Sequence, residues 1–142
     1  MSRHGGARGS SGQASRDLSD GLGRHGRIDD TEARVGRMAI FKAYDIRGVV
    51  PDELDAQQAY RIGRAVARFI DASPIAVGRD ARTHSPELAQ ALIDGIRDEG
   101  IDVVDLGLVA TPMLYFGVEA VAAAGGVMVT ASHNPGRYNG FK

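Results

Sequence analysis

Few residues of this chain have the chemistry to act on a substrate, and they gather in a few short stretches. Ser132 and His133 stand side by side in TASHNP. A serine hydroxyl attacks poorly unless a base or a positive environment activates it. Neighbours on an extended chain point opposite ways, which argues against a direct Ser132–His133 dyad. The nucleophile elbow of hydrolases is also absent. Asn134-Pro135-Gly136 has the composition of a tight turn, where serine and histidine more often make local hydrogen bonds. Arg47, in YDIRG, offers donors in a planar fork suited to phosphate or carboxylate. An ion pair with Asp45 is the other reading, and both stay open. Lysine occurs only at positions 42 and 142. Asn139-Gly140-Phe141 reads as a turn that folds Lys142 back toward the Ser132 loop, the alternative being a solvated side chain.

A second charged group, Arg79, Asp80 and Arg82, ends an apolar run. Such clusters usually fix loops through ion pairs, so a structural role is expected of them. His84 is expected to hydrogen-bond locally, and His4 and His25 receive no role. No His, Asp and Glu spacing here makes a metal site from protein ligands alone. Aromatic residues are only 6% of the chain and unclustered, which leaves no stacking platform for nucleic acid.

The 142 residues suffice for one domain with a real core. A net charge of −1 gives no bulk attraction to nucleic acid or an anionic membrane. Cysteine is absent, which excludes disulfides and thiolate metal sites and fits a reducing compartment, so a cytoplasmic location is expected. The longest apolar runs are far short of a membrane span. Residues 1–37 differ from the rest: seven Arg face five acidic residues among eight Gly and five Ser. With so few apolar residues this stretch cannot offset its ordering entropy. It is read as a disordered leader or non-native extension, with Met38 as a possible true start and the folded domain over 38–142.

The folded part alternates in period. MAIFKAYDIRGVV is a strand-like run that Arg47-Gly48 is expected to break. DAQQAYRIGRAVARFI has Ala59, Ile62, Val66, Phe69 and Ile70 at helical spacing, with Asp55 as N-cap. PIAVGRD reads as a buried strand. SPELAQALIDGIRDEG is a helix with Ser85 as cap, Pro86 first in the helix and Gly100 as its stop. IDVVDLG is a strand. TPMLYFGVEAVAAAGG repeats the device with Thr111 as cap, and VMVTAS is the last strand. The alternation implies an α/β fold: a largely parallel mixed sheet with helices on both faces. Ligands of such sheets bind beyond the carboxyl ends of the strands. AYDIRG, GRDARTHS and TASHNPGRYNGFK are therefore expected at strand ends, on one surface.

Taken together, AYDIRG, VGRDAR, DLGLVATPMLYF and GVMVTASHNPGRYNGFK resemble, in order, the first domain of the α-D-phosphohexomutases, in the bacterial phosphomannomutase/phosphoglucomutase type. The resemblance runs from about Ile40 to Lys142. It implies an enzyme that interconverts hexose 1-phosphates and 6-phosphates through a phosphoserine and a bisphosphorylated sugar. By motif match that serine is Ser132, and the resting species is then a phosphate awaiting attack by a sugar hydroxyl. Arg47 and Lys142 match residues near the transferring phosphoryl group, suited to charge stabilisation and acid–base work. Tyr44 and His133 match residues lining the same cleft, where substrate contact is implied. The resemblance further implies Mg²⁺, held by an oxygen of the Ser132 phosphate and by an aspartate loop of a second domain. It also implies a glucose 1,6-bisphosphate-type activator and a phosphorylated hexose partner. Domains II–IV of such an enzyme are missing after Lys142, so the fragment is expected to be inactive alone. His84 departs from the small serine usual at its position. The rivals are a non-catalytic module gripping a phosphosugar with Arg47 and Lys142, and a serine hydrolase using Ser132 and His133.

Overall fold

A computed structural model describes residues 39–142. The leader expected over residues 1–37, with its two histidines, and Met38 lie outside these described residues. The elements are β1 (Ile46–Val49), α1 (Ala56–Ile70), β2 (Ile75–Arg79), α2 (Ser85–Asp98), β3 (Val103–Leu108), α3 (Thr111–Ala120), β4 (Gly125–Val129) and β5 (Tyr138–Phe141). They form one sheet in the order β1-β5-β4-β2-β3. β2 is parallel to both β3 and β4, while β5 is antiparallel to β4 and to β1. Only β5 therefore runs against the other four strands, and the sheet is largely parallel but mixed, as the alternation implied.

Period-2 alternation on the central strands divides the core. Ile75, Val77, Val127 and Val129 face α1 and α2, joining Leu54, Leu88, Leu92, Ile96 and Phe141 in the larger apolar cluster. Ala76 and Met128 face the other way and pack with Leu114 of α3, beside Leu106, Val109 and Val118. Helices thus cover both faces. The two helices of the larger layer meet backbone to backbone. A Cβ on Gly63 would lie 2.2 Å from the Leu92 carbonyl oxygen, and one on Gly95 would lie 2.1 Å from that of Tyr60. No other residue fits such an approach. Beside it, Glu99 at the end of α2 pairs with Arg64 and Arg68 of α1, and Tyr60 donates to Asp98.

Local signals were read correctly at some ends and not at others. Asp55 caps α1, accepting from the Gln58 N–H at 2.7 Å, and Gly100 ends α2 in the left-handed region at φ 82°. Ser85 and Thr111 are not caps. Each is the first helical residue, and the cap positions belong to His84 and Ala110, neither making a side-chain cap bond. The hydroxyl of Ser85 is engaged elsewhere, as described below. Phe69 is 90% exposed, because the stripe that packs follows Ala59, Ile62-Gly63, Val66-Ala67 and Ile70 and leaves Phe69 at its margin. Arg47-Gly48 does not break the first strand; both lie inside β1. YNGF is likewise a strand and not a turn, since the missing side chain of Gly140 lets β5 approach β1. A Cβ there would sit 2.1 Å from the Ile46 carbonyl oxygen.

Candidate active site

Ser132 follows β4 at the carboxyl edge of the parallel strands. Its backbone is left-handed, φ 53°, a conformation that costs a residue with a Cβ of order 1 kcal/mol or more and persists only where the surroundings impose it. Here they do. The Ser132 N–H donates to Thr130 Oγ1 at 3.0 Å, and the Thr130 hydroxyl donates to Asp80 Oδ2 at 2.7 Å. Asp80, just past β2, also accepts from the Ser85 hydroxyl at 2.5 Å and from the Arg82 N–H at 3.1 Å. Ser85 in turn accepts from Asn139 Nδ2 at 2.9 Å, and Asn139 Oδ1 accepts the Gly140 N–H. One polar chain thus ties the ends of β2 and β4, the start of α2 and the middle of β5. Burial works to raise the pKa of Asp80, but hydrogen bonds from Ser85, Thr130 and the Arg82 N–H, with the Arg82 charge, hold it below the ordinary carboxylate value.

Arg82 crosses from the β2 edge into the loop that Ser132 opens. Its Nε donates to Asp80 Oδ2 at 3.0 Å. Nη1 donates to the carbonyls of Pro135 at 2.9 Å and Tyr138 at 3.1 Å. Nη2 donates to those of Ser132 at 2.7 Å and Asn134 at 2.8 Å. The loop-fixing role expected of Asp80 and Arg82 takes this form; Arg79 does not share it. Its Nη1 is buried with no hydrogen-bond partner among the described residues, as is Nδ1 of His84.

The return strand brings Lys142 to the serine. Lys142 pairs with Met128 through two backbone hydrogen bonds, at 2.8 and 3.0 Å. Its Nζ donates to Ser132 Oγ at 2.6 Å. The hydroxyl's partner is therefore Lys142 and not His133, which is exposed. Lys142 also borders a groove of about 300 Å³ between α3 and β4 that Ser132 does not line. The serine itself stands on an open edge.

Arg47 reaches this edge by an unexpected route. YDIRG does not follow a strand: Tyr44 and Asp45 precede β1, and Arg47 lies within it. β1 is staggered, so that Ile46 pairs with Phe141, which pairs with Val129 at the end of β4. Arg47 is consequently opposite Gly140. Gly140 shares a sheet face with Lys142, two residues on, so register puts both cations on one face. Arg47 pairs with Asp45 at 3.5 Å and keeps a third of its side chain exposed. Tyr44 is 98% exposed at the tip of a tight turn, where Lys42 N–H donates to the Asp45 carbonyl and Arg47 N–H to that of Ile40. Ser132 and Lys142 are in contact and Arg47 shares their sheet edge by register; Tyr44 and His133 are exposed and make no contact with the serine hydroxyl.

Thr130, Ser85 and Asn139 were missed as parts of the site. The available signal was that each is polar beside an otherwise apolar run or helix start, where a buried hydroxyl or amide needs a partner. Among the described residues no group of three or more His, Asp or Glu could hold a metal ion. No helix there is long and apolar enough to cross a membrane.

The family model described as Phosphoglucomutase/phosphomannomutase, alpha/beta/alpha domain I matches residues 38–142. A phosphohexose mutase of Xanthomonas campestris pv. campestris is 55% identical over 102 residues, covering 72% of this chain and 23% of that protein. The Phosphomannomutase/phosphoglucomutase of Pseudomonas aeruginosa is 51% identical over 107 residues, again with 23% of its length covered. A crystal structure of a phosphoglucomutase/phosphomannomutase family protein from Burkholderia thailandensis superposes with a TM-score of 0.69 at 45% identity, covering 73% of this chain and 25% of that one. The chain thus spans about a quarter of the proteins it matches. With the family model covering all of the described residues and the sheet superposing on a member's, the chain belongs to the phosphoglucomutase/phosphomannomutase family, of which it carries domain I.

Proposed function

We propose that this chain is the phosphoryl-carrying part of a hexose phosphate mutase, an enzyme that moves phosphate between the 1- and 6-positions through a phosphoserine at Ser132. The observation that carries the reading is the hydrogen bond from Lys142 Nζ to Ser132 Oγ, 2.6 Å. When phosphoserine gives up its phosphoryl group to a sugar hydroxyl, a phosphorus–oxygen bond to the sugar forms and the sugar hydroxyl gives its proton to a base or to solvent. The bond from phosphorus to Oγ breaks, and negative charge grows on Oγ. A donor already aimed at that atom stabilises the charge and can deliver the proton the serine regains. The same lysine would hold the proton while the serine is phosphorylated again. Arg47, on the same sheet face, is suited to the phosphate oxygens. Tyr44 and His133, both exposed, are suited to contact the sugar.

Mg²⁺ would offset charge on the phosphoryl oxygens when bound. This chain fits it only as the donor of one ligand, an oxygen of phosphorylated Ser132, and the rest of the coordination would come from another domain. A glucose 1,6-bisphosphate-type molecule would charge the serine initially. Since family members extend well beyond this domain, these 142 residues alone are not expected to turn over hexose phosphates. In the absence of cysteine the compartment proposed is the cytoplasm.

The test is phosphorylation of a full-length mutase carrying this domain. Intact mass and peptide analysis after incubation with glucose 1,6-bisphosphate should place one phosphate on Ser132, and Ser132→Ala should abolish both the phosphate and isomerisation of glucose 1-phosphate. Phosphosugar binding with no phosphoserine would favour a non-catalytic binding module instead. Full activity of Ser132→Ala would refute the proposal.

A further inference from the structure

We infer that Arg82 is a positioning residue for Ser132: its guanidinium, braced by Asp80, holds the serine loop in its working geometry before any ligand or phosphate arrives. The inference rests on the phosphoserine reading for its purpose, but the geometry behind it does not.

A guanidinium has five N–H donors. All of them are engaged, one by Asp80 and the others by the carbonyls of Ser132, Asn134, Pro135 and Tyr138. Asp80 is saturated in the same way. Its Oδ1 accepts from Ser85 and the Arg82 N–H, and its Oδ2 from Thr130 and Arg82 Nε. An arginine in this state has no donor left for a substrate phosphate, although it lies beside the serine expected to carry one. Its charge is opposed by Asp80, and its fork converts four separate carbonyls into one rigid arrangement.

One of those carbonyls flanks the sensitive point. Arg82 fixes the Ser132 carbonyl, while Asp80, acting through Thr130, fixes the Ser132 N–H. Both peptide groups around Ser132 Cα are thereby tied to one ion pair. That is how a residue with a Cβ is kept at φ 53°, and this backbone turn aims Oγ at Lys142. Relaxation to negative φ would swing the hydroxyl away from the lysine. Lysine cannot replace Arg82, because an ammonium has three donors about one point and cannot span four carbonyls and a carboxylate.

The experiment uses the isotope-labelled 142-residue chain as wild type, Arg82→Met, Arg82→Lys and Thr130→Val. Amide exchange is followed at Ser132, Asn134 and Tyr138, with Leu92 in α2 as internal reference, and couplings report φ at Ser132. A second sample of each carries phosphoserine installed at position 132 during synthesis, read by its ³¹P resonance. Both Arg82 variants are expected to speed exchange at the loop amides about ten-fold or more, as loss of charge-assisted hydrogen bonds implies. Leu92 should keep its protection. Ser132 should leave the left-handed region, and the ³¹P line should move toward that of a free phosphoserine peptide. Thr130→Val should loosen Ser132 but leave Tyr138 protected. If Arg82→Met does not fold, Arg82→Lys decides. A folded Arg82 variant with wild-type loop exchange, Ser132 φ and ³¹P shift would overturn the inference. A uniform loss of protection that includes Leu92, with φ unchanged, would reduce Arg82 to general stability and overturn it too. Neither outcome depends on whether the serine is phosphorylated in the cell, which the mass analysis above decides separately.

Discussion

Lys142 donates to the hydroxyl of Ser132 across 2.6 Å although ten residues separate them in the chain. The contact exists because β5 turns back beside β4, where Met128 and Lys142 exchange backbone hydrogen bonds. Lysine position is therefore set by a strand ladder, while serine position is set by the left-handed turn at the head of the loop. The two are fixed independently and meet at one oxygen atom.

That meeting predicts the cost of removing the amine. In a full-length mutase carrying this domain, Lys142→Met should lower kcat by about 10²–10³, the usual loss when one donor to a developing oxyanion is removed. The fold should persist, because the side chain is exposed. A coupled glucose 1-phosphate assay with circular dichroism as control measures both. Wild-type kcat in the variant would exclude the lysine from the transfer step.

The contact between α1 and α2 predicts a stability defect far from the chemistry. Gly95→Ala places a methyl carbon 2.1 Å from the Tyr60 carbonyl oxygen, and backbone on both sides must move. Destabilisation of about 1–3 kcal/mol or more is expected from such overpacking. Urea denaturation of the two proteins measures it. Replacing Ala65, which is exposed on α1, with serine should change stability by less than about 0.5 kcal/mol.

Glu99 predicts a pH dependence. Hydrogen bonds from Arg68 and Arg64, with their charges, outweigh desolvation and hold its carboxyl at about 2, against an ordinary 4.5. The folded value lies below the unfolded one, so the stabilisation is complete above pH 4.5 and is lost as pH falls toward 2. Melting temperatures taken across that window should fall less steeply in Glu99→Gln than in wild type. Parallel curves would show that the pair contributes nothing.

Asp80 titrates in the same sense, with a consequence for the loop and not for the helices. Its folded value is depressed, so its contribution is complete above the ordinary 3.8, declines as pH falls below it, and is gone once the lower folded value is passed. Asp80→Asn should loosen the Ser132 and Tyr138 amides at neutral pH, because Asn offers a weaker acceptor to Arg82 and an NH₂ where Thr130 and Arg82 require an oxygen. Hydrogen exchange at those amides measures it. Unchanged protection would separate Asp80 from loop order.

The architecture was legible because burial repeats along the chain. Four-residue apolar runs and helical stripes locate β2, β4, α1 and α2 without further help. Asp55 was legible as a cap since its side chain has no competing partner. Ser85 looked equally good, but its hydroxyl is drawn to Asp80 and Asn139, residues that only the folded sheet brings near. β5 was hidden by Asn139-Gly140, a pair that signals turns when exposed; here the amide is buried and bonded, and the glycine answers to close strand spacing. The stagger of β1 was equally invisible, since register depends on a partner strand far along the chain. The resemblance singled out Ser132, Arg47 and Lys142 by motif. The polar chain through Thr130, Asp80, Ser85 and Asn139 had no such marker.

The stagger of β1 also separates what can vary from what cannot. Arg47 is held on a ladder opposite Gly140, whereas Lys42 to Asp45 form only the tip of a short reversal between Phe41 and Ile46. That tip carries Tyr44 into solvent and bears none of the sheet's weight. It is a replaceable cassette: Tyr44 can be exchanged to present a different lip while the backbone ladder that holds Arg47 stays put. Freedom to vary the lip and retention of the backbone position of Arg47 are thus assigned to adjacent residues on opposite sides of one hydrogen-bonded bridge.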